Sequence, residues 1–595
     1  MATQFLNVTF DGATDVPRLT GQSAVKWETS GSRPTIDRYS VFVETPDDLD
    51  ATLNLTGSDW RIRMLQVAGD DHITRIKDLN NGTGREIEYL NLGYNSDVDL
   101  TSTKVRYMNG WDGDEHDIKL GPQNDWMHWL NLGADMNKVE TSVGYIGGVD
   151  IYRGRADITV HGEVGSIDLG NLKDRMVVDG GRVGVVLLQD GNDTVLVKNG
   201  GRIDSLKAWG GTNTIDVKAG SRIDHIRGGE GTLNIQATGN GRLESVNAYE
   251  GKLNLSTADR YVNTIQGWQV ETDIVIGKGG AGTIKFTSET TQTHKITGST
   301  EGYIALIETT DSTANIADDQ SAIIDVGYFV GAIRTGNGVD SVTTGDGLTG
   351  FVESIYTAGG DDTVTVGTGG AGLVSTSRGD DVVKISDLSY ILEEEATVVR
   401  GGSGTDELSF AAFSKGVTFS LANAGAAQEV AKDSGFFSEL GVENLSGSNF
   451  ADILTGDAGA NELSGRGGAD KIFGGDQKDV LKGAAGDDRL FGQKGTDNLF
   501  GGQGNDLLNG GKGNDSLTGD GGSDIFIFGK DSGKDRVEDF VDGKDTLRLV
   551  DHAGGFGDLT FSNAGSNLKV THDNGTSGLV GEAGTVLTSA DFDFV

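Results

Sequence analysis

A nine-residue clock constrains this chain more than any other feature. From Gly447 to Ile527 the sequence divides without a gap into nine consecutive nonapeptides. The sixth position reads Asp452, Asn461, Asp470, Asp479, Asp488, Asp497, Asp506, Asp515 and Asp524. The eighth reads Leu454, Leu463, Ile472, Leu481, Leu490, Leu499, Leu508, Leu517 and Phe526. Glycines punctuate the units, as in "GGQGNDLLNGGKGNDSLTG" from Gly501 to Gly519. Glycine permits positive φ and lets backbone carbonyls converge in a tight turn. The aspartate adds a carboxylate beside those carbonyls, and the following x-apolar-x is a short strand with one inward side chain. One unit cannot bury its leucine alone, so the units must stack into a parallel β-roll.

Stacking raises an electrostatic problem. Strands ~4.8 Å apart bring successive aspartates together, where like charges repel. A cation with oxygen ligands must lie between them, and Ca²⁺ fits best because it accepts several oxygens at ~2.3–2.6 Å in flexible geometry. The expected metal residues are Asp470, Asp479, Asp488, Asp497, Asp506, Asp515 and Asp524, with Gly474, Gly483, Gly492, Gly501, Gly510, Asn505 and Asn514 in the turns. Several ions per chain are expected.

These repeats resemble the haemolysin-type (RTX) nonapeptides of bacterial proteins exported by type I secretion. "GVENLSGSNFADILTGDAGANELSG" (Gly441 to Gly465) is similar to the family's lead-in, and "GSDIFIFGKDSGKDRVEDFVDGKDTLRL" (Gly522 to Leu549) to its cap. The ending "LTSADFDFV" is similar to an uncleaved export signal. The resemblance covers roughly the last quarter of the chain. It implies calcium as cofactor and a bacterial, secreted location, and it accounts for a start, "MATQFLNVTF", with neither a basic nor an apolar signal region. Phe450 replaces a turn glycine and Asn461 an aspartate. Calcium is therefore not expected at the first unit, and weaker ligation is expected at the second.

A second period, of twenty, lies upstream. Gly191, Gly211, Gly231 and Gly251 are twenty apart, as are Arg182, Arg202, Arg222 and Arg242. Val183, Ile203, Ile223, Leu243 and Val195, Ile215, Ile235, Leu255 keep the same register. Trp268, Ile274 and Ile276 continue it after a one-residue slip. Short apolar strands punctuated by glycine at this interval predict the turns of a β-solenoid, right-handed by the crossover rule. The fold class expected is all-β: an elongated right-handed parallel β-solenoid running into a C-terminal calcium-binding roll.

The phrase Gly-x-Asp-x-apolar recurs at Gly191, Gly338, Gly360 and Gly379, and the full "GGSGTDELS" begins at Gly401. Asp362, Asp381 and Asp406 are candidate calcium ligands too, with less support at Asp193 and Asp340; the alternative at each is an ordinary aspartate turn. All four prolines precede residue 123, so the character of the chain changes near there. The expected organisation is a β-rich part at 1–135 (an anchor or the start of the solenoid), a solenoid at 136–410 and a connecting segment at 411–446. The roll follows at 447–527, and a cap with the secretion signal at 528–595.

Composition narrows the function. A formal charge of −40 disfavours nucleic acid and favours hard cations. With 94 Gly and no Cys, the chain favours tight turns and excludes disulfides and thiolate metal sites. No apolar run approaches the length of a membrane span. His-Glu-x-x-His and Gly-x-Ser-x-Gly motifs are absent. The arginine column, with Asp204, Asp224 and Glu244 two residues on, reads as a mixed-charge ladder on a solvated face, the alternative being a groove for an anionic glycan. Trp111, Trp126 and Trp129 cluster with His116 and His128. They are the candidate surface for a glycan such as lipopolysaccharide, against the alternative of packing at an edge or a subunit contact.

The architecture resembles calcium-dependent bacterial surface-layer proteins. The expectation is a secreted, non-enzymatic structural protein that self-assembles at or outside the cell surface into a layer or filament, with calcium driving folding and assembly. The alternatives are a glycan-binding adhesin or biofilm-matrix protein, and a β-solenoid polysaccharide lyase or epimerase.

Overall fold

The computed structural model describes residues 4–10, 17–21, 26–30, 39–44, 51–56, 61–68, 73–78, 86–100, 103–111, 113–121, 126–142, 144–288, 292–299, 301–311, 321–347, 350–387, 396–432, 436–550, 554–564, 567–571, 577–582 and 586–595. By its contacts the chain forms two compact units, Met1–Ser288 and Glu289–Val595. Each is a parallel β-solenoid, and the described helices are three short 3-10 turns, all in the second unit.

In the first unit the twenty-residue period has a steric origin. A side chain on Gly211, Gly231 or Gly251 would strike the carbonyl of Gly191, Gly211 or Gly231 in the turn before, and all three hold positive φ. Only glycine lets successive corners stack at strand spacing. The apolar positions then fall into register. Val183 pairs with Ile203, Ile223 and Leu243 in succession, and Val195 with Ile215, Ile235 and Leu255. Leu255 pairs with Ile274, nineteen residues on, at the one-residue slip. These side chains are 0–3% exposed. Each is worth about 1.5–3 kcal/mol of burial, so a turn is stabilised mainly by the turns above and below it.

Pairing does not break at residue 135. One column runs through Leu65, Leu90, Met108, Leu130, Val149, Ile167 and Val186, so the described strands between 61 and 135 share the ladder of the turns that follow. Pro17 opens an antiparallel strand paired with Gln4–Phe10, and Pro34, Pro46 and Pro122 lie outside the described residues.

In the second unit, one column passes from solenoid into roll. Ile324, Val342, Val364, Val383 and Leu408 lead directly into Leu445, Leu463, Leu481, Leu499, Leu517 and Val537. Alternate nonapeptides build the opposite sheet, through Phe419, Leu454, Ile472, Leu490, Leu508, Phe526, Leu547 and Phe592. Two nonapeptides thus make one eighteen-residue turn. Each places its eighth-position side chain in the core between the sheets, where all are fully buried.

The segment expected to be a connection, 411–446, is woven into both sheets. Thr418–Ser420 starts the second sheet of the roll, Phe436–Leu440 pairs with the solenoid strand Thr397–Ser403, and Asn444–Ser446 continues the shared column. At the other end Phe592–Phe594, within the ending read as an export signal, is the last strand of the second sheet.

Candidate calcium ladder

The sixth-position aspartates line the inside corners of the roll. Asp470, Asp479, Asp488, Asp497, Asp506, Asp515 and Asp524 are each at most 2% exposed. In each, Oδ1 accepts the backbone N–H of the sixth-position residue eighteen positions earlier, at 2.7–2.9 Å. These bonds link the turns into two columns, one along each edge. The second oxygen is left over. In Asp470, Asp479, Asp488, Asp497, Asp506 and Asp515, Oδ2 is buried without a hydrogen-bond partner.

What Oδ2 faces is a cradle made by glycine. The glycine five residues before each aspartate presents its bare Cα to that oxygen: a methyl group on Gly474, Gly483, Gly492, Gly501 or Gly510 would collide with Oδ2 of Asp479, Asp488, Asp497, Asp506 or Asp515. The same methyl on Gly474, Gly483 and Gly492 would lie 2.8, 2.5 and 2.5 Å from the carbonyl oxygens of Gly492, Gly501 and Gly510 in the next turn. Carboxylate and carbonyl oxygens thus converge where no side chain intrudes. Asn505 and Asn514 do not join them. Both are exposed, and their amide oxygens accept backbone N–H groups of Ser523 and Lys534 at 2.9 Å, which spends them on tying outer loops together.

Burial of these carboxylates is electrostatically costly without a cation. Burial, the largest cause, pushes Asp470 and Asp479 up to about 7 and Asp488, Asp497, Asp506 and Asp524 up to about 6, against the hydrogen bonds from the preceding turn. Among the described residues no three His, Cys, Asp or Glu side chains cluster as a ready-made metal centre. A metal here would take one carboxylate per repeat and backbone carbonyls, an all-oxygen shell suited to a hard cation of calcium's size and flexible geometry. The residues fit calcium.

The column continues upstream, where its chemistry changes. Asp340, Asp362, Asp381 and Asp406 are buried and accept N–H groups from the preceding turn in the same way, at 2.7–3.0 Å. Five residues before the first three stand Thr335, Thr357 and Thr376 instead of glycine. The Thr376 hydroxyl donates to the Gly401 carbonyl at 2.9 Å, and burial, the largest cause, raises both the Asp362 and the Asp381 carboxyls. Oδ2 of Asp362 and of Asp381 is buried without a hydrogen-bond partner, as in the roll, but the cradle glycine is replaced by threonine, so calcium is expected in the roll in preference to these two positions. Asp406 differs: a methyl on Gly401 would collide with Asp406 Oδ2 and the Gly441 carbonyl, so this rung has the cradle of the nonapeptides.

Asp535 and Asp545, not singled out from the sequence, extend both columns by accepting the N–H groups of Asp515 and Asp524 at 3.0 Å. Their signal was the same Gly-x-Asp-x-apolar phrase, displaced by short insertions to spacings of twenty and twenty-one. In the first unit Asp193 accepts the Asp174 N–H at 2.8 Å, with Leu188 five residues before it.

A family model described as RTX calcium-binding nonapeptide repeat (4 copies) matches residues 446–481, 473–508 and 500–533. Residues 446–533 are RTX calcium-binding repeats. The Gly401–Asp406 rung and the Asp535 and Asp545 rungs lie outside those matches. No curated protein matches the chain. The crystal structure of the extracellular lipase LipA from Serratia marcescens is similar at 15% identity over 44% of this chain and 45% of that one. Its TM-score is 0.17, too low to bear on fold or activity.

The other candidates lie in the first unit. Arg182 bridges Glu163 and Asp204 at 3.3 and 2.6 Å, Arg202 bridges Asp204 and Asp224 at 2.8 and 2.7 Å, and Arg222 pairs with Asp224 and Glu244. Arg182, Arg202 and Arg222 are thus neutralised along the stack, each by its own turn or a neighbouring one. Trp111, Trp126 and Trp129 are 60%, 65% and 40% exposed. Trp126 packs edge-on to His128 and Tyr145, His128 stacks on Tyr107 and Tyr107 on Tyr89, and Trp129 covers Gly148. His116 is buried instead, bonded to the Trp111 carbonyl at 2.9 Å.

Proposed function

We propose that this protein is a secreted, calcium-dependent structural protein that assembles on or outside a bacterial cell surface, as a layer or filament subunit. The observation that carries the calcium part is the column of buried, unpartnered Oδ2 atoms, each facing a glycine cradle. Without calcium, carboxylates in these columns oppose folding at neutral pH. At roughly 10⁻³ M calcium outside a cell, sites with Kd of ~10⁻⁴–10⁻³ M fill, and each ion bound only to the folded state adds stability by mass action. The RTX repeats support export by type I secretion, with folding after exit.

Repetition supports the structural role. Stacked near-identical turns present self-similar surfaces suited to association with copies of the same chain, and the exposed aromatic face around Trp126 and Trp129 supplies a surface for a cell-envelope glycan. Among the described residues no helix is long and apolar enough to cross a membrane. The raised carboxyls described above line the inter-turn columns, which supports a structural use of them over general acid–base work. Negative-stain electron microscopy with sedimentation, in 5–10 mM calcium chloride and in excess chelator, tests the reading. Ordered sheets or filaments only with calcium support it; a folded monomer in calcium overturns the assembly.

A further inference from the structure

Arg182, Arg202 and Arg222 are paired, but a second set of cations on the same stretch of solenoid is not. Lys207, Arg227, Asn247 and Gln266 are in direct register on successive turns. Among the described residues neither Lys207 nor Arg227 enters an ion pair. Two residues further along the same turns stand Trp209, Gly229, Tyr249 and Trp268, with Tyr249 and Trp268 in register. Trp209 and Tyr249 are 39% and 36% exposed, and Arg227 is exposed with them. A column of cations and amides thus runs beside a column of aromatic rings.

The two columns interlock at Arg227. Its guanidinium lies 5.6 Å from the centre of the Trp209 ring and 4.8 Å from that of Tyr249. Gly229 makes the room, since a methyl group there would lie 2.8 Å from the Trp209 ring. The rings hold a planar fork of N–H donors whose charge no carboxylate has taken up. Part of the ordering cost of a bound state is therefore met before a ligand arrives. The acids that border this face do not cancel it. Asp204, Asp224 and Glu244 are ion-paired within the arginine ladder, and Glu230 and Glu250 follow Gly229 and Tyr249 without pairing to Lys207 or Arg227.

We propose that this face binds a linear polysaccharide carrying a carboxylate on each sugar. A carboxylate accepts two parallel N–H bonds from a guanidinium, while the C–H face of a sugar ring lies against an aromatic ring. Turns ~4.8 Å apart match roughly the length of one sugar unit. Successive carboxylates can then meet Lys207 and Arg227 while their rings lie along Trp209, Tyr249 and Trp268. A nucleic-acid strand fits less well, because Arg227 already fills the gap between two rings where a base would stack. The net charge of −40 repels any polyanion at long range, so the attraction must come from this column. The site uses none of the residues around Trp126 and rests on neither calcium nor assembly.

Isothermal titration calorimetry of the full chain in calcium tests it, with a galacturonate hexamer as the probe. Maltohexaose, of the same linkage without carboxylates, and an oligothymidylate of similar length are the comparisons. The galacturonate hexamer should bind at least about tenfold more tightly than either, and Arg227→Ala should weaken it about 10–100-fold. Arg182→Ala removes an equal charge from the paired ladder and should leave the affinity within about twofold of wild type. If Arg227→Ala does not fold, Arg227→Lys decides: it keeps the charge, loses the fork, and should bind about tenfold more weakly. No binding by the wild type, equal affinity for maltohexaose, tighter binding of oligothymidylate, or equal weakening by Arg182→Ala overturns the proposal, as does wild-type affinity in the deciding Arg227 variant. A chain that forms sheets with calcium yet ignores the galacturonate hexamer refutes this site alone and leaves the proposed assembly standing.

Discussion

Replacing Asp488 by Asn separates charge from shape. The amide keeps an Oδ1 to accept the Asp470 N–H, which the carboxylate does at 2.7 Å, and keeps the volume facing Gly483. The charge is lost, and the oxygen facing the cradle becomes an NH2 group that cannot ligate a cation. In excess chelator at pH 8 the change should stabilise the roll, because burial raises the Asp488 carboxyl from 3.8 to about 6. That rise corresponds to about 3 kcal/mol at full weight and about 1–2 kcal/mol after allowance for solvent screening. In 10 mM calcium the sign reverses. A site with Kd of ~10⁻⁴ M is then about 100-fold saturated and contributes about 2.7 kcal/mol, most of which the variant forfeits. Urea denaturation of the full chain, followed by hydrogen exchange of peptides spanning 480–513, reads both numbers. Destabilisation of equal size in calcium and in chelator would refute the reasoning, since Asp488 would then act only through its hydrogen bond.

Four further outcomes are expected. In chelator the raised carboxyls make the roll most stable below about pH 4, with that stability lost as pH rises through the folded-state values of about 6–7; acidification from pH 8 to 5 should increase β-structure by circular dichroism, and no increase contradicts the shift. Asp406→Asn should lower the calcium count by one in native mass spectrometry, while Asp381→Asn, whose cradle Thr376 fills, should leave it unchanged. Thr376→Gly, which vacates that cradle, should raise the count by one. Leu499→Ala, at a fully buried position between Leu481 and Leu517, should cost about 2–5 kcal/mol in saturating calcium by urea denaturation, and a loss under 1 kcal/mol would place that column outside the cooperative core.

The roll was legible because its constraints are local. A glycine that must leave room for an oxygen, an aspartate five residues later and an inward leucine two residues beyond repeat at fixed intervals, so sequence spacing equals structural register. The twenty-residue turns were legible for the same reason, through Gly211 and its stacked neighbours. The register of residues 61–135 was obscured because turn lengths vary there, from Leu90 to Met108 at eighteen residues and Met108 to Leu130 at twenty-two. The difference between Asp381 and Asp406 was present in the sequence as Thr376 against Gly401, but its meaning required knowing that this position faces Oδ2.

The central claim is that calcium occupies the glycine cradles of the roll and not the threonine-filled positions upstream. Anomalous X-ray diffraction from crystals grown in calcium tests this most directly. Anomalous peaks are expected at ~2.3–2.6 Å from Oδ2 of the roll aspartates and of Asp406, with none beside Asp362 or Asp381. Aspartate Oδ2 atoms without peaks in a folded roll, or peaks of equal height beside Asp362 and Asp381, would contradict it.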